Sequence, residues 1–277
     1  MTVERIALRE SQLLIEDGIA QFSHQRPAAR NALSAALRLD YPQMLDRVES
    51  DPNIRALVIT GEGGSFCAGG DLKSMRERHT SANPQDRAPD GMRRRLLGMH
   101  AWMERLHSLE VPVVAAVDGA AMGAGFSIAL VADFILASSR AVFCMSFAKI
   151  GLVPDLGAFY LLPRAVGLPM AKELALTARR VDAHEGQRLG FVHAVHEPEA
   201  LLAEAMRFAR RFVAGPRESA GLTKRLMNQS FETPFRALAE MEAQAQGIAS
   251  TTPYHLAAVA GFLDGKPSMF DWDRNQA

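Results

Sequence analysis

A chain of 277 residues that is 48% apolar has material for one large buried core and is not a disordered segment. Lys plus Arg and Asp plus Glu both number 31, so no net field favours nucleic acid or an anionic membrane, and a small molecule is the expected partner. Cys67 and Cys144 stand alone, without paired ligand spacing, which fits two small core residues in a reducing compartment and gives no metal site.

The sequence opens Met-Thr-Val-Glu-Arg without an apolar leader, and no later stretch runs apolar for a membrane span, so a soluble cytoplasmic protein is expected. Residues 13–16 and 19–23 flank Asp17-Gly18, a dipeptide suited to a two-residue turn, and predict an opening β-hairpin. Asn31 starts an amphipathic helical segment carrying Leu33, Leu37, Tyr41, Leu45 and Val48 and ending near Asp51-Pro52. Residues 54–60 read as a buried strand running into a first glycine turn, Gly61-Glu62-Gly63-Gly64-Ser65-Phe66-Cys67-Ala68-Gly69-Gly70-Asp71, with helical periodicity from Leu72. The polar stretch 76–90, with Pro84 and Pro89, predicts a mobile loop and candidate lid before a helix running to Leu109. A second buried strand, 111–117, leads into Gly119-Ala120-Ala121-Met122-Gly123-Ala124-Gly125 and a buried helix from Phe126.

Short strands at 134–137 and 142–145 precede a third turn, Gly151-Leu152-Val153-Pro154-Asp155-Leu156-Gly157. A helix at 158–165, two further helical patterns to Leu189 and a strand at 191–195 come next. From Pro198 the strand signals stop, and helices alternate with breaks at Gly215-Pro216, Thr233-Pro234 and Thr252-Pro253. The expected division is an α/β core over 1–197 and a helical region over 198–277, where the stripe Leu201, Leu202, Ala205, Met206 and Phe208 seeks a neighbouring subunit.

Both glycine turns close a strand and open a helix, which leaves backbone N–H groups without internal acceptors and lets a ligand approach closely. Two such turns can aim two donors at one oxygen; the alternative is tight packing alone. Gly123-Ala124-Gly125 is no dinucleotide fingerprint, because Ile128 stands where the third glycine belongs. Nor is Gly125-Phe126-Ser127-Ile128-Ala129 a nucleophile elbow, since Ala129 replaces its last glycine and Ser127 lies in the helix. His193 and His196 read as strand residues rather than metal ligands.

Four ordered segments carry a family resemblance: Arg26-Pro27-Ala28-Ala29-Arg30-Asn31-Ala32-Leu33, Phe66-Cys67-Ala68-Gly69-Gly70-Asp71-Leu72, residues 119–133 and residues 151–164. Together they resemble the crotonase superfamily, the enoyl-CoA hydratase/isomerase family. The resemblance implies a spiral of repeated ββα units, a C-terminal helical region that builds homotrimers or hexamers, and an acyl-CoA thioester as ligand, with CoA part of the substrate and no separate cofactor. It places the oxyanion donors at the backbone N–H groups of Gly70 and Ala124, where alanine in place of the commoner glycine keeps the donor. Such a donor is worth about 3 kcal/mol, because the oxyanion exists only when an adjacent carbon loses its proton. It also sets CoA against Arg26, Ala28, Ala68, Asp71 and Leu72, with Phe262 and Lys266 added from the same or a neighbouring subunit. Asp71 has a second reading as a helix cap.

Hydratases of the family use two glutamates, and the matching positions here are Ser127 and Phe147. Adding water across a double bond needs a group to activate the water and an acid to deliver a proton, so hydration loses its machinery. Asp155 stands where ring-opening and dienoyl isomerases of the family carry their acid/base aspartate, and residues 143–167 look like the epoxide-ring isomerases of phenylacetyl-CoA degradation. One carboxylate suffices to move a proton between carbons, and apolar neighbours that include Phe147 at the substrate pocket raise its pKa. The competing role for Asp155 is capping the helix near Gly157. The alternatives are a hydratase, an aroyl-CoA dehalogenase in which Asp155 attacks the ring and His100 activates water, and an acyl-CoA-binding scaffold.

Overall fold

The computed structural model describes residues 3–272; residues 1–2 and 273–277, the ends of the two predicted regions, lie outside them. The chain opens with β1 (Glu4–Ala7), which the sequence reading missed, then β2 (Ser11–Glu16) and β3 (Ile19–His24), joined as predicted at Asp17-Gly18, both at positive φ. Helix α1 (Ala35–Ser50) begins later than expected, because Ser34 and not Asn31 caps it by accepting from Leu37 N. After β4 (Ala56–Gly61) come α2 (Leu72–His79), α3 (Pro84–Arg87) and α4 (Pro89–Ser108). The predicted loop at 76–90 is thus largely helical: Pro84 and Pro89 stand at the first helical positions, where a missing N–H costs nothing.

Next are β5 (Val113–Val117), β6 (Ala120–Met122), α5 (Ala124–Val131), β7 (Phe134–Ser138) and β8 (Val142–Cys144). A 3-10 turn at Ser146–Ile150 leads to α6 (Ala158–Val166), α7 (Leu168–Thr177), β9 (Val181–Asp182), α8 (Ala183–Leu189) and β10 (Ala194–His196). The remainder is helical: α9 (Leu201–Arg210), α10 (Arg217–Gln229), α11 (Phe235–Ala249) and α12 (Pro253–Leu263), with the last three beginning at the predicted Pro breaks.

A seven-stranded sheet runs β1-β2-β3-β4-β5-β7-β10 and a three-stranded sheet runs β6-β8-β9. The repeat follows from this order. β5 lies in the large sheet, β6 in the small one, and α5 follows; β7 and β8 repeat the step before α6. β4 does the same with less strand, since Cys67 alone bridges to Ala121 of β6 before α2. These are the ββα turns of a crotonase-like spiral.

Alternation along the strands separates two apolar clusters. Leu57, Ile59, Val113, Ala115 and Val117 face the main core with α1, α4 and α5, whereas Ala56, Val58, Val114 and Ala116 face α9. Leu201, Ala205 and Phe208 of α9 are therefore buried on this subunit's own sheet, which corrects the expectation that this stripe seeks a neighbour.

His24 ends β3 inside the core. Its Nδ1 donates to Phe66 O at 3.0 Å, so Nε2 accepts from Tyr41 OH at 2.8 Å, and the Tyr41 ring stacks on Trp102 at 4.2 Å. Burial pushes the imidazole down to about 4 from 6.5. The folded state then binds fewer protons than the unfolded state between those values, so this stabilisation is full above pH 6.5 and falls as pH drops toward 4, by up to about 3 kcal/mol. In an NMR titration the His24 ring should still be neutral at pH 5; protonation near 6.5 would contradict this account.

Candidate active site

The two glycine turns lie side by side because β6 pairs with the first of them. Phe66 N donates to Asp118 O at 2.8 Å, Cys67 N to Ala120 O at 2.9 Å, and Met122 N to Cys67 O at 3.0 Å. Gly125 makes the approach possible, since a Cβ there would lie 2.2 Å from Cys67 O. Asn31, with φ 54, holds the first turn from the other side: Nδ2 donates to Glu62 O and Ser65 O, and Oδ1 accepts from Arg26 N. This clamp was missed in the sequence, where Asn31 read as the start of a helix.

Ala124 is the first residue of α5, so its N–H has no intrahelical acceptor. Gly70 likewise donates no backbone hydrogen bond among the described residues, while Leu33 N is taken by Gly69 O. Gly70, Ala124 and Asp155 line a single cavity of about 50 Å³ closed by Leu33, Met75 and Leu156. These are the two donors and the carboxylate singled out in the sequence.

Asp155 is set by the third turn, where Leu156 and Gly157 take φ of 50 and 78. Its carboxylate does not cap α6, whose N-cap is Gly157 without a side-chain bond, so the capping alternative is not what the structure shows. Oδ1 is buried without a hydrogen-bond partner, and burial pushes the carboxyl up to about 6 from 3.8. Ser127, on buried α5, donates Oγ to the Asp155 backbone O at 2.9 Å and so ties the Asp155 turn to the helix that begins at Ala124.

Phe147 is buried at the base of the second turn, with its ring 3.7 Å from where a Gly123 Cβ would lie, and does not line the Asp155 cavity. Arg26 Nη1 donates to Asp71 Oδ2 at 2.7 Å, and Asp71 also caps α2 by accepting from Ser74 N. Ala28 and Leu72 are exposed and Ala68 is half-buried, and of the five residues only Asp71 lines the Asp155 cavity. Phe262 and Lys266 are exposed and line no part of the Asp155 cavity in this subunit. His100 is exposed on α4 and borders a different cavity, of about 510 Å³, between α4, α6 and α10. The two cysteines are buried, as expected. Among the described residues no helix is long and apolar enough to cross a membrane.

Comparison with known proteins identifies the family. The model of the family described as enoyl-CoA hydratase/isomerase matches residues 14–268. The chain is 32% identical to 1,2-epoxyphenylacetyl-CoA isomerase from Escherichia coli (strain K12), covering 92% of this chain and 96% of that protein. It is also 32% identical to crotonyl-CoA hydratase from Syntrophomonas wolfei subsp. wolfei, over 98% of this chain and 99% of that protein. Among solved structures, the enoyl-CoA hydratase/isomerase from Cupriavidus metallidurans CH34 superposes with a TM-score of 0.89 at 38% identity, covering 96% of this chain and 97% of that one. With the family model matched over residues 14–268 and relatives at 32% identity covered over nearly their whole length, the chain belongs to the enoyl-CoA hydratase/isomerase family of the crotonase superfamily.

Proposed function

We propose that this protein is an acyl-CoA isomerase that moves a proton between carbons of a CoA thioester, with Asp155 as the acid/base group. The observation that carries the reading is the single cavity in which Asp155 is the one carboxylate placed with Gly70 and Ala124, apart from the Arg26-paired Asp71, while Ser127 and Phe147 occupy the positions of the hydratase glutamates. The Asp155 carboxylate takes a proton from a carbon conjugated to the thioester. The C–H electron pair moves into the π system, and the thioester oxygen becomes an oxyanion held by the Gly70 and Ala124 N–H groups. The same carboxyl then returns the proton to another carbon, with no water consumed. The raised pKa of Asp155 suits a group that must both take and give a proton near neutrality.

The dehalogenase alternative requires a histidine beside Asp155, and His100 borders the other cavity. Purified protein incubated with unsaturated and aromatic acyl-CoA thioesters should give products of unchanged mass and altered ultraviolet absorbance. Gain of water would instead mean a hydratase, and binding without turnover a scaffold. Calorimetry should show binding of the thioesters and not of the matching free acids; equal affinity for both would remove the CoA site assigned to Arg26, Ala28, Ala68, Asp71 and Leu72.

The helical region supports assembly as a homotrimer or a hexamer. Helices α11 and α12 bury no side chain within the subunit, yet Phe235 is 88% exposed, Phe262 81% and Leu263 79%. In this arrangement Phe262 and Lys266 serve the CoA of a neighbouring subunit. Sedimentation at micromolar concentration should give a trimer or hexamer; a monomer would refute it.

A further inference from the structure

Three arginines from three helices line the cavity that holds Gly70, Ala124 and Asp155: Arg38 from α1, Arg78 from α2 and Arg95 from α4. Among the described residues none of the three takes part in an ion pair. Asp71, which shares the cavity, is held by Arg26 at 2.7 Å, and Asp86, on α3, accepts from Ser81 Oγ. The hydrogen bonds they do make leave most of each guanidinium unused. Arg38 Nε donates to Ser34 O at 3.1 Å, while its Nη1 and the Nη2 of Arg95 reach only the sulfurs of Met99 and Met92, which are weak acceptors. Arg95 Nε is buried with no acceptor at all.

All three side chains are half-buried, and burial together with the neighbouring positive charges pulls Arg38 and Arg78 down from the ordinary guanidinium range. Like charges drawn together away from water destabilise the fold unless an anion joins them, and a planar carboxylate accepts two N–H groups from one guanidinium. The same cavity is lined by Met75, Met92 and Met99, which offer an apolar path past the thioester. A second cavity, of about 370 Å³, shares Met75, Arg78, Met92 and Arg95 as its wall, so Arg78 and Arg95 stand between the inner cavity and the outer one, with Arg38 on the inner wall.

We propose that the substrate is the monothioester of a dicarboxylic acid, whose free carboxylate is bound by Arg38, Arg78 and Arg95. The proposal rests on the acyl-CoA reading above and narrows it. The CoA phosphates are separated from the thioester by the whole pantetheine arm, whereas these guanidiniums share a cavity with the oxyanion donors. The inner cavity of about 50 Å³ has space for only a few atoms, which makes the acyl chain a short one.

Calorimetric titration of the wild-type protein with glutaryl-CoA, with the neutral methyl ester of its free carboxylate, and with CoA itself tests this without turnover. Glutaryl-CoA should bind at least ~10-fold more tightly than the ester, the scale of one charged hydrogen bond. Arg95→Met should lose at least ~10-fold more affinity for glutaryl-CoA than for the ester, and Arg95→Lys, which keeps the charge, should retain part of the preference. Equal binding of acid and ester by the wild type would overturn the proposal while leaving the acyl-CoA reading intact. If Arg95→Met weakened CoA itself as much as glutaryl-CoA, the arginines would be phosphate ligands and the proposal would be wrong. Failure of all three ligands to bind the folded wild type would remove the acyl-CoA reading and this inference with it.

Discussion

Asp155→Asn should lower turnover by at least ~10²-fold while leaving acyl-CoA binding and the assembled fold in place, since a positioned acid/base group contributes about 10² to 10⁴. The same substitution should raise stability. A carboxyl whose pKa is about 6 when folded and 3.8 when free binds more protons in the folded state between those values. Its contribution is therefore most favourable below pH 3.8 and is lost as pH rises through 6, leaving a cost of up to about 3 kcal/mol at neutral pH. Asparagine removes the charge, so thermal unfolding at pH 7.5 should move upward and lose this part of its pH dependence. For the wild type, the rate with a proton-abstraction substrate should rise with pH through about 6 as the base ionises. Ser127→Ala, which loosens the Asp155 turn and leaves the carboxylate, should cost less than ~10-fold in turnover. A fast Asp155→Asn enzyme beside a dead Ser127→Ala enzyme would show that the proton shuttle has been misassigned.

Gly125→Ala should cost about 10² to 10³ in kcat and 1 to 3 kcal/mol in stability, although Gly125 contributes no group to the chemistry. The added Cβ would lie 2.2 Å from Cys67 O and 2.8 Å from Cys67 Cβ, and neither neighbour is the tip of a flexible side chain. Relief requires α5 to lift from the first turn, which moves Ala124 relative to Gly70 on the wall of their shared cavity. The proposed oxyanion donors are backbone groups and cannot be deleted by substitution, so a wedge of this kind is the accessible perturbation. Gly98→Ala is the control: it makes the same chemical change in α4 where nothing lies within 4 Å, and should be neutral or stabilising by up to ~1 kcal/mol. Equal kinetics for the two variants would show that the spacing of the turns does not set the rate.

The parts of the site legible in the sequence were those encoded locally. Gly70, Ala124 and Asp155 each sit in a glycine-containing turn visible in the sequence, and it was the family resemblance of those turns that singled out the three residues, which the fold brings to one cavity. What escaped depends on contacts between distant segments. Asn31 read as the start of a helix, whereas the first turn needs its amide at Glu62 O and Ser65 O. Arg38, Arg78 and Arg95 lie on three helices and have no common motif, so only the folded chain shows that they share a wall. The segment 76–90 was misread because its prolines start helices instead of ending them. The apolar stripe of α9 was visible in the sequence, and the last helices carry exposed apolar side chains as well. Which of them meets the sheet and which stays bare is decided by the path of the chain, not by local pattern.

Solvent deuterium exchange tests the central claim most directly. In heavy water the wild-type protein should place deuterium on carbon in an unsaturated acyl-CoA, without gain of water, and Asp155→Asn should abolish that exchange while still binding the ligand. Exchange that persists in Asp155→Asn, or a product carrying an added water, would contradict the assignment of Asp155 as the proton shuttle of an isomerase.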